Sequence, residues 1–332
     1  MELILNDFGQ YLGTKGQNFV LYEQKKAVKE VPFYKLNQIV LGSGNCVSTS
    51  ALFWASMFGI EIMVVSKTGK PLSLMMPLST DKRVKTRLKQ YEAYQNHKGS
   101  IIAKAILKAR ISSQISLLEK YCLDSSRLNV KIEKIDIENT TIDQIRSRLT
   151  GVEGKCTEQY FKEYWKLFPK CLKPKKREKY KAQSPLNNLL NLGYEILKGE
   201  VYKAVLEAHL DPYLGYLHSI QFAKPSLVCD VQEIFRILIE EFLVTYHQKL
   251  EPESFEQKGK RSFLKPKQKL KLILQINHLF KKRIPYKRRN YSKKTTIRTI
   301  IKEEPIKLAQ YLRGNKSFYE PLESKRFSNT MC

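Results

Sequence analysis

The segment that most constrains the fold is residues 184–233, a strongly periodic stretch of low charge in an otherwise very basic chain. Asp211-Pro212 divides it, because an N-cap residue followed by proline is typical of the start of a helix. The part before this point is predicted to be a buried helix, since its apolar residues repeat at helical spacing. These residues are Leu186, Leu189, Leu190, Leu197, Val201, Ala204, Val205 and Ala208. The part after it predicts a second helix that carries His218.

A third helix is predicted after Pro225, and it places two acids close together. Its apolar stripe consists of Leu227, Val231, Ile234, Phe235, Leu238 and Phe242. Asp230 and Glu233 are three residues apart and lie on the side that faces away from this stripe. The sequence therefore predicts that two carboxylates and a histidine are presented at the surface of a helical core.

The charge of the chain points to a polyanionic partner. Fifty-nine Lys and Arg residues against 32 Asp and Glu residues give a net charge of +27, which favours nucleic acid. No run of about 18 apolar residues is present, and the first ten residues, MELILNDFGQ, lack the basic region of a secretory signal. Six scattered cysteines without a C-x-x-C pair argue against a zinc knuckle or a disulfide framework. We therefore expect an intracellular, cytoplasmic protein that does not bind membranes.

The chain is predicted to have an α+β fold with two domains, a β-rich, β-sandwich-like N-terminal domain (1–80) and an all-α C-terminal domain (81–332). Six short apolar runs separated by turn residues predict strands in the first domain: LILND, FVLYE, AVKEVPF, QIVLGS, IEIMVVS and PLSLMMP. One short helix is expected among them, capped by Ser48 and ended by Gly59. Since these strands carry no cluster of acids, histidines or nucleophiles, the first domain is assigned to assembly.

The helical domain contains a further candidate acid, Glu153. It lies at the edge of an apolar helix face in the sequence LTGVEGKCTEQYFKEYWKLF and is expected in the first turn of that helix. On its own, Glu153 is explained more simply as a surface acid that complements a helix N-terminus. Gly151 and Gly154 flank it and permit close approach of a backbone or ligand, which is a weak signal.

Two strongly basic regions follow Glu153. Residues 166–181 contain eight Lys or Arg residues and one acid, and Pro169 and Pro174 predict a flexible loop, which either covers a site or is only a linker. Residues 258–302 contain seventeen basic residues and no acid, and are predicted to form a helix plus a basic loop. Such a region neutralises several phosphates, so its binding to nucleic acid is expected to be sensitive to salt.

Several ordered motifs resemble those of the CRISPR spacer-acquisition integrase family. The family pattern N-x-x-L-N-x-G-Y-x-x-L stands at residues 187–197. The pattern G-L-D-P-x-L-G-x-L-H stands at residues 209–218, with His209 in place of the first glycine. S-L-V-x-D-x-x-E-x-x-R stands at residues 226–236, and an E-G pair before an aromatic-rich helix stands at Glu153-Gly154. The similarity spans essentially the whole chain.

This resemblance implies a metal site in the helical domain and a defined set of partners. The ligands carried over by position are Glu153, His218 and Glu233, while Asp230 is a close neighbour that either ligates or orients. Carboxylates with one imidazole suit Mg²⁺ or Mn²⁺. The family also implies a homodimer, a small ferredoxin-fold partner subunit of the same CRISPR system, and capture of a short DNA duplex.

The leading hypothesis is a metal-dependent DNA endonuclease and strand transferase that inserts spacers into a CRISPR array by 3′-hydroxyl attack on a phosphodiester. His218 acts either as a ligand or as a proton carrier in this hypothesis. A non-catalytic, basic DNA-binding scaffold is the alternative, and it explains the charge equally well. A third possibility is an RNA-processing nuclease, which requires a preference for 2′-hydroxyls or unstacked bases.

Overall fold

The computed structural model describes residues 1–66, 69, 71–77, 83–128, 132, 135–137, 139–179, 182–288 and 291–322. It divides the chain into two compact units, Met1–Val84 and Lys85–Cys332. The first unit is rich in strands and the second is mainly helical, so the predicted fold class is confirmed. None of the helices within these described ranges is long and apolar enough to cross a membrane.

The first unit contains two four-stranded sheets around one apolar core. Their strand orders are β1-β5-β7-β8 and β4-β3-β2-β6. The strands are β1 (Glu2–Leu5), β2 (Tyr11–Lys15), β3 (Asn18–Glu23), β4 (Lys26–Pro32), β5 (Gln38–Leu41), β6 (Cys46–Val47), β7 (Glu61–Val65) and β8 (Pro71–Met75). Both sheets contribute to the core, through Leu3 and Ile39 on one side and Leu12 and Phe19 on the other.

All six predicted strands are present in the first unit. The sequence missed β2 and β6, because Gly13 interrupts the apolar pattern of β2 and β6 is only two residues long. Helix α1 (Thr49–Met57) forms where it was expected. The Ser48 side chain caps it by accepting a hydrogen bond from the Ala51 N–H at 3.1 Å.

The second unit is a helical assembly with two added pairs of antiparallel strands. Its helices are α2 (Arg83–Gln95), α3 (His97–Lys120), α4 (Ile142–Tyr164), α5 (Pro185–Glu207), α6 (Ser226–Tyr246), α7 (Pro266–Lys281) and α8 (Ile297–Leu312). The strand pairs are β9 (Phe255–Lys258) with β10 (Arg261–Leu264), and β11 (Arg283–Arg288) with β12 (Tyr291–Thr296). The described part of the basic region 258–302, which leaves out residues 289 and 290, therefore folds into strands as well as the predicted helix, and the second unit is not purely α-helical.

Helix α6 is the most buried helix of this unit, and α5 packs closely against it. The approach is tightest at Gly193 of α5, where an added Cβ would lie 2.4 Å from Cγ2 of Ile239. A side chain at position 193 would therefore have to push the two helices apart. The periodicity of residues 184–208 correctly predicted α5, which begins at a cap formed by Ser184.

The helix predicted to begin at Asp211-Pro212 is absent, and residues 209–225 form an irregular loop. The Asp211 side chain accepts the Tyr213 N–H at 2.8 Å, which closes a local turn. Gln90 of α2 holds the same turn by accepting the Asp211 N–H at 2.7 Å and donating to the Leu214 carbonyl at 3.0 Å. The side chains of Asp211, Gln90 and Asp230 of α6 accept backbone N–H groups of this loop that would donate to carbonyls in a regular helix.

Replacing Gly193 with alanine should lower the free energy of unfolding by about 1–3 kcal/mol, because the added methyl group overpacks the contact with Ile239. Gly151 of α4 is a matched control, since open space surrounds its Cβ position. Gly151→Ala should raise the free energy of unfolding by roughly 0.5–1 kcal/mol through helix propensity alone. Urea denaturation followed by circular dichroism measures both. Similar changes in the two variants would contradict the packing argument.

Candidate metal centre

The two acids of the predicted site, Asp230 and Glu233, lie in the first half of α6 and are buried. Their exposed fractions are 0% and 1%, so the prediction that they face solvent is wrong. The reason is that the loop 209–225 covers Asp230, while side chains from α3 and from the next turn of α6 lie beside Glu233. Apolar periodicity identified the stripe of α6 but not the polar contacts on its other side.

The Asp230 carboxylate organises the loop that carries His218. Its Oδ2 accepts the backbone N–H groups of Tyr216 at 2.5 Å and Leu217 at 3.0 Å. Its Oδ1 accepts the backbone N–H of His218 at 2.8 Å and lies 2.8 Å from the ring Nδ1 of the same residue. The Nδ1 proton therefore points to Asp230, and the Nε2 lone pair is available to the site. This use of both oxygens favours an orienting role for Asp230.

His218 is electrostatically coupled to both acids. Burial acts to lower the pKa of His218, but the hydrogen bond to Asp230 and the charges of Asp230 and Glu233 outweigh it, so the pKa is raised. The Nε2 atom lies 3.9 Å from Oε1 of Glu233. The imidazole and the second carboxylate thus face each other across a short gap.

Glu233 is a buried carboxylate with unused acceptor capacity. Arg236 lies beside it, with Nη2 3.0 Å from Oε1. In the part of the chain that the structure describes, neither oxygen of Glu233 has a hydrogen-bond partner of good geometry. Arginine side chains already lie beside the carboxylate, and its unused acceptor capacity leaves it able to accept a further donor or a cation.

Glu153 lies well inside α4, which begins at Ile142, and not in the first turn of a helix. The simpler explanation, that it complements a helix N-terminus, is therefore excluded. The side chain is half-buried. Burial and the nearby Glu233 carboxylate raise the pKa of Glu153, while Lys179 and His218 act in the opposite direction. Glu153 is thus an electrostatic neighbour of the His218 and Glu233 pair.

The predicted ligands do not form a closed coordination set. Among the described residues, no group of three or more His, Cys, Asp or Glu side chains is close enough to hold a metal ion. The donor chemistry nevertheless fits Mg²⁺ or Mn²⁺, because Glu233 offers unbonded carboxylate oxygens and His218 offers Nε2. The ligand set of Glu153, His218 and Glu233 remains a prediction.

The flexible loop expected over residues 166–181 is anchored at residues 176–179, just before α5, while residues 180 and 181 lie outside the described residues. Arg177 donates to Oδ1 of Asn187 at 3.0 Å and to Oδ1 of Asn191 at 2.6 Å. The Asn191 amide donates in return to the carbonyls of Glu178 and Lys179, both at 3.2 Å. The two asparagines of the N-x-x-L-N motif therefore hold the segment close enough for Lys179 to influence the pKa of Glu153.

Two arginines beside Glu233 were not predicted from the sequence. Arg236 closes the S-L-V-x-D-x-x-E-x-x-R motif, but the motif alone assigns no role to it. The second is Arg110 of α3, whose Nε lies 3.6 Å from Oε2 of Glu233. A partial signal for Arg110 is present in the sequence, since it follows the apolar Ile106 and Leu107 at helical spacing, although Ser113 and Gln114 continue that face as polar residues.

Comparison with known proteins gives a consistent family assignment. The chain is 27% identical over 345 aligned residues to the CRISPR-associated endonuclease Cas1 1 of Archaeoglobus fulgidus, covering 96% of this chain and 98% of the relative. The fold is shared with a casposase bound to integration product, with a TM-score of 0.70, 22% identity and coverage of 96% and 98%. It is also shared with a partial Cas6-RT-Cas1–Cas2 complex, with a TM-score of 0.72, 20% identity and coverage of 97% and 98%.

The family match itself spans residues 3–278, which is most of the chain. It includes all of the motifs at residues 153–154, 187–197, 209–218 and 226–236. The protein therefore belongs to the family of CRISPR associated protein Cas1.

Proposed function

We propose that this chain is a CRISPR adaptation integrase, a metal-dependent DNA endonuclease and strand transferase that inserts short duplex DNA into a CRISPR array. The observation that carries this proposal is the pairing of His218 with Glu233, 3.9 Å apart, with the ring oriented by Asp230. The relative from Archaeoglobus fulgidus is named an endonuclease. The alternative of a non-catalytic scaffold is therefore not kept.

Glu153, His218 and Glu233 would together hold one Mg²⁺ or Mn²⁺ ion. The imidazole tilts the preference toward Mn²⁺, because magnesium favours oxygen ligands. When bound, the cation would polarise the scissile phosphate and offset the negative charge that develops on it. Asp230 keeps the Nδ1 proton of His218 in place, which fixes the ring, so that in the neutral imidazole Nε2 carries the lone pair toward the site.

Cleavage and integration use the same arrangement of residues in this proposal. Each reaction breaks one phosphodiester P–O bond and forms one new P–O bond. The attacking group is water in cleavage and a DNA 3′-hydroxyl in integration, and the leaving group is the displaced DNA oxygen. Glu233 and His218 are held by α6 and by the Asp230-bound loop, so the chain positions the site before the substrate arrives.

The anchored basic segment is proposed to hold the DNA backbone beside the site. Lys173, Lys175, Lys176 and Lys179 are exposed on it, while Arg177 is occupied by the two asparagines. Lysine side chains contact phosphates without reading base sequence, so these residues would position DNA without selecting it. The region 258–302 adds further positive charge.

The remaining assignments are partners and location. We assign dimerisation to the N-terminal domain (1–80), where large apolar side chains are exposed: Phe8 at 90%, Tyr34 at 72%, Met57 at 64% and Phe53 at 57%. The small ferredoxin-fold partner subunit rests on the family resemblance, and a solved relative is a complex that contains Cas2. A cytoplasmic location follows from the same resemblance.

Alanine substitution of Glu153, His218 or Glu233 should each reduce Mn²⁺-dependent cleavage and strand joining by at least about 100-fold, because several kcal/mol of charge stabilisation depend on the bound cation. Glu158→Ala is a matched control on the same helix, since Glu158 is exposed and pairs with Lys162. The assay should compare duplex DNA, single-stranded DNA and RNA. Wild-type activity in all three ligand variants would overturn the site, and a preference for RNA would support the RNA-nuclease alternative.

The affinity for Mn²⁺ should increase as the pH rises and His218 loses its proton, which it does at a higher pH than an ordinary histidine because its pKa is raised. A cation binds Nε2 only after that proton leaves, and Asp230 raises the pKa of His218 in spite of its burial. Isothermal titration calorimetry at constant ionic strength measures this dependence. Asp230→Asn should shift the increase to lower pH, since it removes the charge that raises the pKa. A pH-independent affinity would contradict ligation by His218.

Replacing Lys175, Lys176 and Lys179 together with glutamine should weaken DNA binding and flatten its salt dependence. The slope of log K against log salt concentration should fall by about 0.9 for each phosphate that the variant no longer neutralises. A matched control removes the same charge from exposed Lys25, Lys26 and Lys29 of the first unit. Fluorescence anisotropy across a salt series measures both variants. If the control variant lost the same affinity and the same salt dependence, the effect would come from net charge and not from this segment.

A further inference from the structure

A buried arginine joins helices α3 and α6 next to the candidate metal centre. Arg110 of α3 is 2% exposed and Glu240 of α6 is fully buried. Their side chains form a two-point contact, with Nη2 2.6 Å from Oε1 and Nη1 3.2 Å from Oε2. The Tyr160 hydroxyl donates to Oε2 of Glu240 at 2.7 Å, and the Tyr194 hydroxyl donates to Oε1 at 2.5 Å. Glu240 is therefore saturated, and the guanidinium plane of Arg110 is fixed.

One N–H of Arg110 is left over from this network. In the described part of the chain its Nε is buried without a hydrogen-bond partner, and it lies 3.6 Å from Oε2 of Glu233. Glu233 and Glu240 are seven residues apart on α6, so they lie two turns apart on the same face. The guanidinium thus spans from the saturated Glu240 carboxylate to the unsatisfied carboxylate of Glu233.

We propose that Arg110 is a positioning residue that holds the rear oxygen, Oε2, of Glu233, so that Oε1 is presented to the space in front of His218 Nε2. This inference rests on the proposed function of Glu233 as a ligand. Carboxylates that bind metals are commonly held by a neighbouring donor of this kind. Arg236 contacts the other oxygen, with Nη2 3.0 Å from Oε1, and its side chain is 21% exposed. Arg110 is therefore the buried support of Glu233.

A contribution to stability alone does not explain why the Nε–H group of Arg110 lies near Glu233. A buried ion pair contributes little net stability compared with apolar residues of the same size, and Glu240 already has four donors without Nε. A second ion pair between the same two helices, Lys120 with Glu241 at 2.6 Å, links α3 to α6 without a contact to Glu233. Lys120–Glu241 therefore only attaches α3 to α6, whereas Arg110–Glu240 attaches the same helices and also places Nε near Glu233.

The first test is Arg110→Lys in the full chain. Lysine keeps the buried positive charge for Glu240 but lacks the planar fork that also reaches Glu233. Mn²⁺ affinity, measured by calorimetry on metal-free protein, should fall by about 10- to 100-fold. Lys120→Met, which breaks the other α3–α6 ion pair, should leave Mn²⁺ affinity unchanged. Wild-type Mn²⁺ affinity in Arg110→Lys would overturn the positioning role.

A second pair of variants avoids any change of buried charge. Tyr160→Phe removes a hydroxyl that fixes the Glu240 carboxylate, whereas Tyr164→Phe removes one that donates to the Glu240 main-chain carbonyl at 2.8 Å. Both residues are buried on α4, so their thermal stabilities should fall similarly. Only Tyr160→Phe should weaken Mn²⁺ binding, by several-fold. Equal Mn²⁺ affinities in the two variants would contradict the proposal. Absence of Mn²⁺ binding in the wild-type protein would instead contradict the proposed function.

Discussion

The carboxylate of Asp230 is the group on which the geometry of this site depends. A single buried charge accepts the N–H groups of Tyr216, Leu217 and His218 and the ring of His218. Such charge-assisted bonds satisfy a carboxylate that burial would otherwise penalise. They also replace the hydrogen bonds of a regular helix, so the loop 209–225 is fixed by α6 and not by its own backbone. The hydrogen bonds to Asp230 therefore hold the loop in its fold and orient His218 in the candidate site.

Helix α6 concentrates acids inside a strongly basic protein. The buried charged residues of the described chain are Arg110, Asp230, Glu233, Glu240, Glu241 and Glu304. Five of these six are acids, although bases outnumber acids in the sequence by 59 to 32. Asp230 and Glu240 are met by several specific donors, whereas the oxygens of Glu233 keep unused acceptor capacity, and most lysines remain at the surface. The surface is consequently more positive than the net charge suggests, which suits a polyanionic substrate.

Local pattern predicted much of the fold, because apolar spacing is a local property of a chain. Helices α5 and α6 and six strands of the first unit follow from it directly. The false helix at Asp211-Pro212 and the supposed exposure of Asp230 share one cause, which is a contact between residues twelve to fourteen positions apart. Spacing brought His218, Asp230 and Glu233 to attention, but their role as ligands came from the family resemblance. Arg110 was missed because its partner Glu240 is 130 positions away.

The tyrosine bond to Glu240 has a geometric consequence for the two helices that it joins. Glu153 precedes Tyr160 by seven residues on α4, and Glu233 precedes Glu240 by seven residues on α6. Seven residues of helix advance about 10.5 Å. The two acids therefore lie at the same distance along their helices from the hydrogen bond that joins Tyr160 to Glu240. The Tyr160–Glu240 hydrogen bond at 2.7 Å therefore links α4 to α6 at a fixed position. It fixes the spacing of the two helices at one point, and so constrains how far apart Glu153 and Glu233, whose charges influence each other, can lie.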